Sequence, residues 1–492
     1  MVWRIPFVRN SNGSLTERTL TPEDVSTQIS EKTVRFVDLE FADIAGRLQH
    51  VTITSQMLGQ KEFREGISKL DGSSIKGFTE IQESDMILVP NASTFGVIPW
   101  GNENLKSCRI LCNVHSGYGM QRFSRDSRYV AEKANQAIRN EGFTSSLWGA
   151  EVEFFVFDNA TWEVNNPFTS FYRISSPESA LEARGKNFPI RFKEGYYPAP
   201  PVDTLMEFRN ECAFYLWENF GIVCDAHHHE VATAGQCEID MYRDGLVETG
   251  DSVLTLKYVV RNVASKNGLI ATTMPKPIFG DNASGMHVAS SLWKGESNAF
   301  YDPRDEYAEL SQTGRYYVGG LLEHSRALCA IVAPTTNSYR RLVAGYEAPV
   351  YVAWSKGNRS ANVRIPVYEK GRGAEKAKRV EFRTPDPSCN PYLACAAIAC
   401  AGLDGIRKKI DPGNSVNEDI YKLTAQRRKE LSIEQLPTSL SSSVECLQSD
   451  SEFLKGVFTS DLLEAMIEIE MDGERMVASR PHPYEFYLYF DR

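Results

Sequence analysis

Glu151 and Glu153 stand one residue apart in Trp148-Gly-Ala-Glu-Val-Glu-Phe-Phe-Val-Phe-Asp158, a segment whose aromatic and β-branched residues predict a strand. Alternation along a strand puts Glu151, Glu153, Phe155 and Phe157 on one face. Two carboxylates roughly 7 Å apart beside two phenylalanines are costly to bury unpaired, so the face calls for a cation. A lone E-x-E is most often a surface ion pair; further charged clusters give this one a different meaning.

The second cluster is Asp225-Ala-His-His-His-Glu-Val-Ala-Thr-Ala-Gly-Gln-Cys-Glu238. Glu230 and Glu238 would lie roughly 26 Å apart if extended and roughly 12 Å apart in a helix. Only a reversal around Ala234-Gly235, where glycine permits a positive φ, brings both to one ion. The three histidines invite a zinc reading, but on a strand His228 faces away from His227 and His229, and no fourth zinc ligand is spaced nearby. The third cluster is Lys276-Pro-Ile-Phe-Gly-Asp-Asn-Ala-Ser-Gly-Met-His287, and the fourth is Arg379-Val-Glu-Phe-Arg383, where Glu381 and Arg383 share a face. Arg341, Glu347, Arg359 and Arg364 fall between them. Carboxylate-rich strands with converging arginines suit metal-assisted phosphoryl transfer: hard oxygens hold Mg²⁺ or Mn²⁺, and guanidinium forks neutralise phosphate and carboxylate.

The elements that must position these clusters are legible in outline. Thr21-Pro-Glu-Asp starts a short helix in an otherwise polar, irregular extension over residues 1–30. Period-two alternation from Thr33 and again from Leu48, with strand-like runs at Met86–Pro90 and Cys108–Val114, predicts a β-rich module over residues 31–118. A helix opens after Phe123, with Ser124 or Asp126 as cap, so the domain boundary falls just before it and the second domain covers 119–492. Long helices are expected over 203–220, 251–268 and 303–331, with the charged clusters on strands between them. That is an α+β arrangement with antiparallel sheet flanked by helices.

Composition bounds the function. The chain has 492 residues, 42% hydrophobic and 24% charged, with a net charge of −10; this excludes an extended basic face for nucleic acid or anionic membrane. Ten scattered cysteines without a C-x-x-C pair fit a reduced, cytoplasmic protein. Arginines interrupt any N-terminal apolar run, and the twelve residues from Tyr392 to Leu403 are too few to span a bilayer, so no membrane partner is expected. Neither a P-loop nor a G-x-G-x-x-G is present, so a nucleotide must be held by other means.

Over residues 33–492 the chain resembles glutamine synthetase of the bacterial and archaeal type I class. The resemblance rests on Asp71-Gly-Ser-Ser-Ile, Glu83-Ser-Asp-Met, the Glu151-Val-Glu strand, His228-His-Glu-Val-Ala-Thr-Ala-Gly-Gln, Gly280-Asp-Asn, Ser284-Gly-Met-His, Asn358-Arg-Ser-Ala and Asn390-Pro-Tyr, in family order. It implies an N-terminal β-grasp domain, a catalytic domain and two stacked hexameric rings with active sites between subunits. By motif position, Glu153, Glu230 and Glu238 would hold one Mg²⁺ or Mn²⁺, and Glu151, His287 and Glu381 another. Asn282, Ala283, Arg341, Arg359 and Arg383 would bind glutamate and the transferring phosphate; Asp225, Ser291, Arg364 and Lys376 would lie on the ATP side. Asp71 and Tyr196 would serve ammonium together with Glu230, while Glu347 would sit on a flap shielding an acyl phosphate from water.

Three positions depart from the family pattern: Ala283 replaces a glycine, Ala289 a histidine and Ala344 a proline. A positive φ at Ala283 would strain the glutamate loop. Tyr421 lies at the offset where some members are adenylylated, but in a basic context; Glu80 replaces a feedback arginine. These features keep three readings open: a glutamate–ammonia ligase, a γ-glutamyl-amine ligase for a polyamine or ethanolamine, and a weakly catalytic paralogue with a binding role.

Overall fold

The computed structural model describes residues 7–9, 15–17, 20–117, 119–179, 181, 188–368 and 373–492. Two sheets organise them. In the first, the apolar positions Val37, Leu39 and Phe41 are buried along the strand Phe36–Ala42, which pairs antiparallel with Leu48–Thr54 and parallel with Ser107–Ser116. Asp85–Pro90 and then Ile67–Asp71 extend that sheet by antiparallel pairing, with the short strand Gly96–Val97 also on Ser107–Ser116, and the short helix Gln60–Glu65 lies between the strands in sequence. This is the expected β-grasp domain.

Thr21 caps the helix Pro22–Glu31 with a capping box, and Val25 on that helix joins the main core. The rest of the N-terminal region differs from the expectation of an irregular extension: Phe7–Arg9 and Leu15–Glu17 pair as a short antiparallel ladder. Asp126, not Ser124, caps the helix Ser127–Asn140, accepting from Arg128 N–H at 3.1 Å; its second oxygen accepts from Val114 N–H in the first sheet at 3.0 Å. One carboxylate thus starts the helix and ties it to the preceding strand.

The second sheet has nine strands among the described residues. Its main path runs Cys224–His229, Gln236–Met241, Ser145–Phe157, Met286–Lys294, Val380–Phe382, Val363–Ile365, Trp354–Lys356. Pairing is antiparallel except at the last pair, which is parallel. One face of the central strand Ser145–Phe157 carries Val152, Phe154 and Val156 into the core beneath the helices Ser127–Asn140 and Leu246–Lys266. The other face carries Glu151, Glu153 and the stacked rings of Phe155 and Phe157, 5.7 Å apart. Gly235 makes the predicted reversal at φ +65°, and a Cβ there would lie 2.0 Å from the Val156 carbonyl oxygen.

The helices expected over 203–220 and 251–268 run Met206–Phe220 and Leu246–Lys266. The long helix expected over 303–331 is instead an irregular stretch followed by Gln312–Glu323 and Ser325–Val332. Ser311 starts the first by accepting from Gly314 N–H, and the break falls at His324, whose ring bonds Asp404 and Asp450 at 2.9 and 2.7 Å. The apolar run after Tyr392 is the buried helix Pro391–Lys408, capped by Asn390. Among the described residues no helix is long and apolar enough to cross a membrane.

Helices Gln312–Glu323 and Pro391–Lys408 approach so closely that a Cβ on Gly320 would stand 2.0 Å from the Ala401 carbonyl oxygen. This contact is backbone against backbone and cannot relax by a rotamer change. Gly320→Ala is therefore expected to cost about 3 kcal/mol by overpacking, seen as a clear drop in Tm; an unchanged Tm would show that the helices are not held at this separation.

Candidate active site

The registers of the second sheet bring distant residues into rows on one face. His228 pairs with Glu238, and Glu238 with Glu153. In the adjacent row, Asp240 pairs with Glu151 and Glu151 with His287. A third row joins Gly149, Ala289, Glu381 and Arg364. Side chains of directly paired residues point to the same side of a sheet, so three short rows gather the charged clusters of the sequence into one patch. The patch floors a cleft of about 160 Å³ whose walls include Tyr196, Asn282, Ala283, Arg341, Glu347 and Arg359.

Two sets of ligand atoms are compact. Those of Glu151, His287 and Glu381 lie within 4.8 Å of one another, as the sequence reading grouped them; those of His228, Glu230 and Glu238 form the other set. Glu153 lies beside this second set, with one oxygen accepting from Gln236 Nε2 at 3.0 Å. Buried location, followed by repulsion from Glu230, raises the Glu153 carboxyl well above its ordinary range despite Arg341 and Arg383 nearby. Burial and then Glu153 do the same to Glu238. Burial pushes Glu230 up to about 6, and Asp240 likewise to about 6. Burial lowers the His287 and His228 rings, so both are neutral and able to donate a lone pair.

These observations test whether the residues suit a divalent cation. Oxygen-rich sets with one imidazole each, crowded against one another, suit a hard or borderline ion. Among the described residues no lysine ion-pairs with Glu151, Glu153, Glu230 or Glu238. Glu381 differs: Arg364 and Arg383 each reach it at 2.8 Å. Arg341 is buried with its donors on the Thr384 and Arg383 carbonyl oxygens at 2.7 and 3.1 Å, which fixes the guanidinium at the cleft wall. Arg359 interacts electrostatically with Tyr196, Glu230 and Glu347.

Glu347 sits at φ +61° in the loop after Gly345. Two lysine ammonium groups stand over the Tyr346 ring of that loop, Lys276 at 3.9 Å and Lys193 at 4.2 Å, and Lys193 Nζ also donates to the Gly345 carbonyl at 3.0 Å. The loop bearing Ala344 is thus held from below by cations rather than by a proline.

Other expected residues lie elsewhere. Asp71 is exposed on the N-terminal domain, accepting from Ser73 and Ser74, and does not line the cleft of its own chain. Ser291 is buried under Trp293, whose Nε1 donates to it at 3.0 Å. Asp225 and Lys376 gather around Arg243, which feels the Asp225 charge and donates to the Lys376 carbonyl. The condition for strain at Ala283 is not met: the positive φ of that loop falls on Gly280, at +81°, and Ala283 has none. Its neighbour Asp281 organises the loop by accepting from the N–H groups of Lys193, Thr233 and Asn282. Ala289 does share the His287 face, as expected, and a Cβ on the adjacent Gly149 would meet only ordinary contacts; this row is open beside Glu381.

Asp240, His228, Tyr197 and Tyr346 also line the cleft without having been singled out as site residues. Asp240 carried a signal: Glu238-Ile-Asp240 repeats the alternation of Glu151-Val-Glu153.

Residues 124–489 match the family model described as glutamine synthetase, catalytic domain, and residues 33–117 the one described as glutamine synthetase, beta-Grasp domain. The chain is 53% identical over 465 residues to a glutamine synthetase of Sulfolobus acidocaldarius, covering 94% of this chain and 97% of that one. It is 44% identical to a glutamine synthetase of Archaeoglobus fulgidus, covering 99% and 100%. The solved structure of Plasmodium falciparum glutamine synthetase superposes with a TM-score of 0.84 at 24% identity, over 95% of this chain and 98% of that one, a likeness of fold. These relatives do not favour a γ-glutamyl-amine ligase or a weakly catalytic paralogue.

The raised carboxyls fix the sign of a pH effect. A carboxyl whose folded value exceeds its ordinary 4.5 contributes stability while protonated and loses it as pH rises through the raised value. The metal-free protein is expected to lose Tm between pH 5 and 7.5, and Mn²⁺ to restore it at pH 7.5, by about 2.7 kcal/mol at a hundred times Kd, with little effect at pH 5. Glu238→Gln should raise the metal-free Tm at pH 7.5 and blunt the Mn²⁺ response. Equal Mn²⁺ shifts at both pH values, or an unchanged response in Glu238→Gln, would contradict the assignment.

Proposed function

The chain belongs to the glutamine synthetase family and makes L-glutamine by ATP-dependent ligation of ammonia to the γ-carboxylate of L-glutamate; from that premise we propose that the acidic cleft is where the ligation occurs. The observation that carries this reading is the pair of compact ligand sets facing Arg341, Arg359 and Arg383 across one cleft. The family depends on ATP and a divalent metal. Glu151, His287 and Glu381 would hold one ion, and Glu153, Glu230 and Glu238 another, with His228 within reach of the second. Such ions, when bound, neutralise charge on the phosphates during transfer.

The chain's own residues do the rest. Asn282, the Ala283 backbone region, Arg341 and Arg383 bind and orient glutamate, a task for planar guanidinium forks. Its γ-carboxylate attacks the γ-phosphorus of ATP, giving γ-glutamyl phosphate and ADP, while Arg359 stabilises charge on the transferring group. Arg364 at the cleft wall, with Asp225 and Lys376 near Arg243 beyond it, would serve the nucleotide side; Ser291, buried with its Oγ accepting from Trp293 Nε1, is left out of that role. Glu347 and its loop exclude water while the acyl phosphate exists. Ammonium then loses a proton to Asp71, assisted by Tyr196 and Glu230, and the resulting ammonia displaces phosphate.

Asp71 lies outside its own cleft, so this last step uses the Asp71 of a neighbouring copy. We infer two stacked hexameric rings with active sites between subunits, residues 31–118 and 119–492 forming the two domains of each copy. The exposed aromatic helix Pro483–Tyr489 supports an assembly: Tyr487 is 78% exposed and the adjoining Phe490 80%. A cytoplasmic location fits the ten free cysteines.

Asp71→Ala is expected to lower glutamine formation by about 10²-fold or more, while glutamate-dependent ADP formation falls far less; equal losses in both would remove Asp71 from the second step. Deleting residues 484–492 should convert a particle of about twelve copies into single rings or smaller species by light scattering. An unchanged particle would show that this tail does not join copies.

A further inference from the structure

A second cavity, of about 290 Å³, lies between the Ile44–Arg47 loop of the N-terminal domain, residues 334–336, residues 388–393 and the helix Ser460–Ala478. It shares no lining residue with the acidic cleft. Most of its wall is hydrocarbon, from Ile331, Leu393, Leu440, Met466 and Ile469. One carboxylate lines it: Glu470, 6% exposed, with neither oxygen hydrogen-bonded.

Among the described residues nothing compensates that group. None of their cations lies within ion-pair distance, and burial accounts for its raised carboxyl, with no neighbouring charge contributing. The Tyr339 hydroxyl, which does feel Glu470, donates to the Cys329 carbonyl instead. An unpartnered buried carboxyl is costly, and it is not a core accident here, because it opens on a volume large enough for a ligand. A single carboxylate with apolar walls cannot supply the several oxygens a metal ion requires. It suits one hydrogen-bonding cationic group attached to hydrocarbon. Exposed Arg47 stands at the rim, where it could meet a carboxylate on the same ligand.

The cavity wall also reaches the acidic cleft through two short connections. Thr335 exchanges hydrogen bonds with Ser338, the first residue of the helix Ser338–Arg341 that ends on Arg341. Ser388 N–H donates to Asp386 at 2.9 Å, and Asp386 and Arg341 interact electrostatically. A ligand that presses on residues 334–336 or 388–390 thereby loads the segments that hold Arg341.

We propose that this cavity is a second small-molecule site, taking a compact primary ammonium compound with an apolar body, its ammonium on the Glu470 carboxylate and its hydrocarbon among Ile331, Leu393 and Met466, and that its occupancy is felt at Arg341. The coupling rests on the assignment of Arg341 to glutamate; the binding does not.

The test is calorimetric titration of the full-length protein with isoamylamine, leucine and isoamyl alcohol. Isoamylamine is expected to bind at one site per chain and the alcohol at least tenfold more weakly. Tighter binding of leucine than of the amine would assign the zwitterion, with Arg47 on its carboxylate. Glu470→Gln should weaken the ammonium probes at least tenfold with Tm unchanged or raised. Should that variant fail to fold, Gly473→Leu serves instead: a Cβ there meets nothing within 4 Å, so the leucine fills the cavity from the same helix and should abolish binding. Saturating amine should change KM for glutamate at least twofold in the wild type and not in either variant. No binding of any ammonium probe, equal affinity for the alcohol, or unweakened binding in both variants would overturn the site. Binding without any change in KM would overturn the coupling alone.

Discussion

Carboxylates buried side by side on one face of a sheet are the constraint on which this structure depends. Glu151, Glu153, Glu238 and Asp240 reach one face of a sheet because an antiparallel register aligns them across two strands, and Glu230 joins them from the turn just past the neighbouring strand. The backbone hydrogen bonds of the sheet hold them there, so they cannot spread to relieve their repulsion. Burial pushes Glu153 and Glu238 up, reinforced by the charge of Glu230 on the first and of Glu153 on the second. On the metal assignment proposed above, a cation would complete such a cluster, making cation binding and stability two readings of one equilibrium.

The rest of the architecture serves that placement. The core beneath the opposite face, from Val152 and Phe154 to the helix Leu246–Lys266, keeps the central strand flat against its neighbours. Gly235 turns the hairpin where any side chain would strike the Val156 carbonyl, and that turn sets Glu230 opposite Gln236 and His228 opposite Glu238. Around the cluster, arginines act at two levels. Arg364 and Arg383 already neutralise Glu381, whereas Arg341 spends its donors on carbonyl oxygens and keeps its charge available to a ligand. The Glu347 loop adds a strained backbone residue held over the cleft by Lys193 and Lys276, an arrangement suited to a cover that must open and close.

What could be read beforehand followed from short-range rules. Strand alternation placed Glu151 with Glu153, glycine placed the reversal at residue 235, and Glu381 with Arg383 shared a face as their spacing required. The pairing of His228 with Glu238 was not legible, because it depends on the exact length of the turn between His229 and Gln236, which sets the hairpin register. Asp240 was missed although Glu238-Ile-Asp240 shows the same alternation as the first glutamate pair. The helix break at His324 escaped detection because its cause, bonds to Asp404 and Asp450, comes from residues far along the chain. Whether Ala283 is strained depended on its φ, which residue type does not give; the loop places its positive φ on Gly280 instead.

The central claim is that two cations complete this face, one on each compact set. Anomalous diffraction from crystals of the full-length protein grown with Mn²⁺ and ADP tests it directly. Two peaks per chain are expected, one bounded by Glu151, His287 and Glu381, the other by Glu230 and Glu238 with Glu153 or His228. A single peak, or peaks away from these carboxylates, would contradict it.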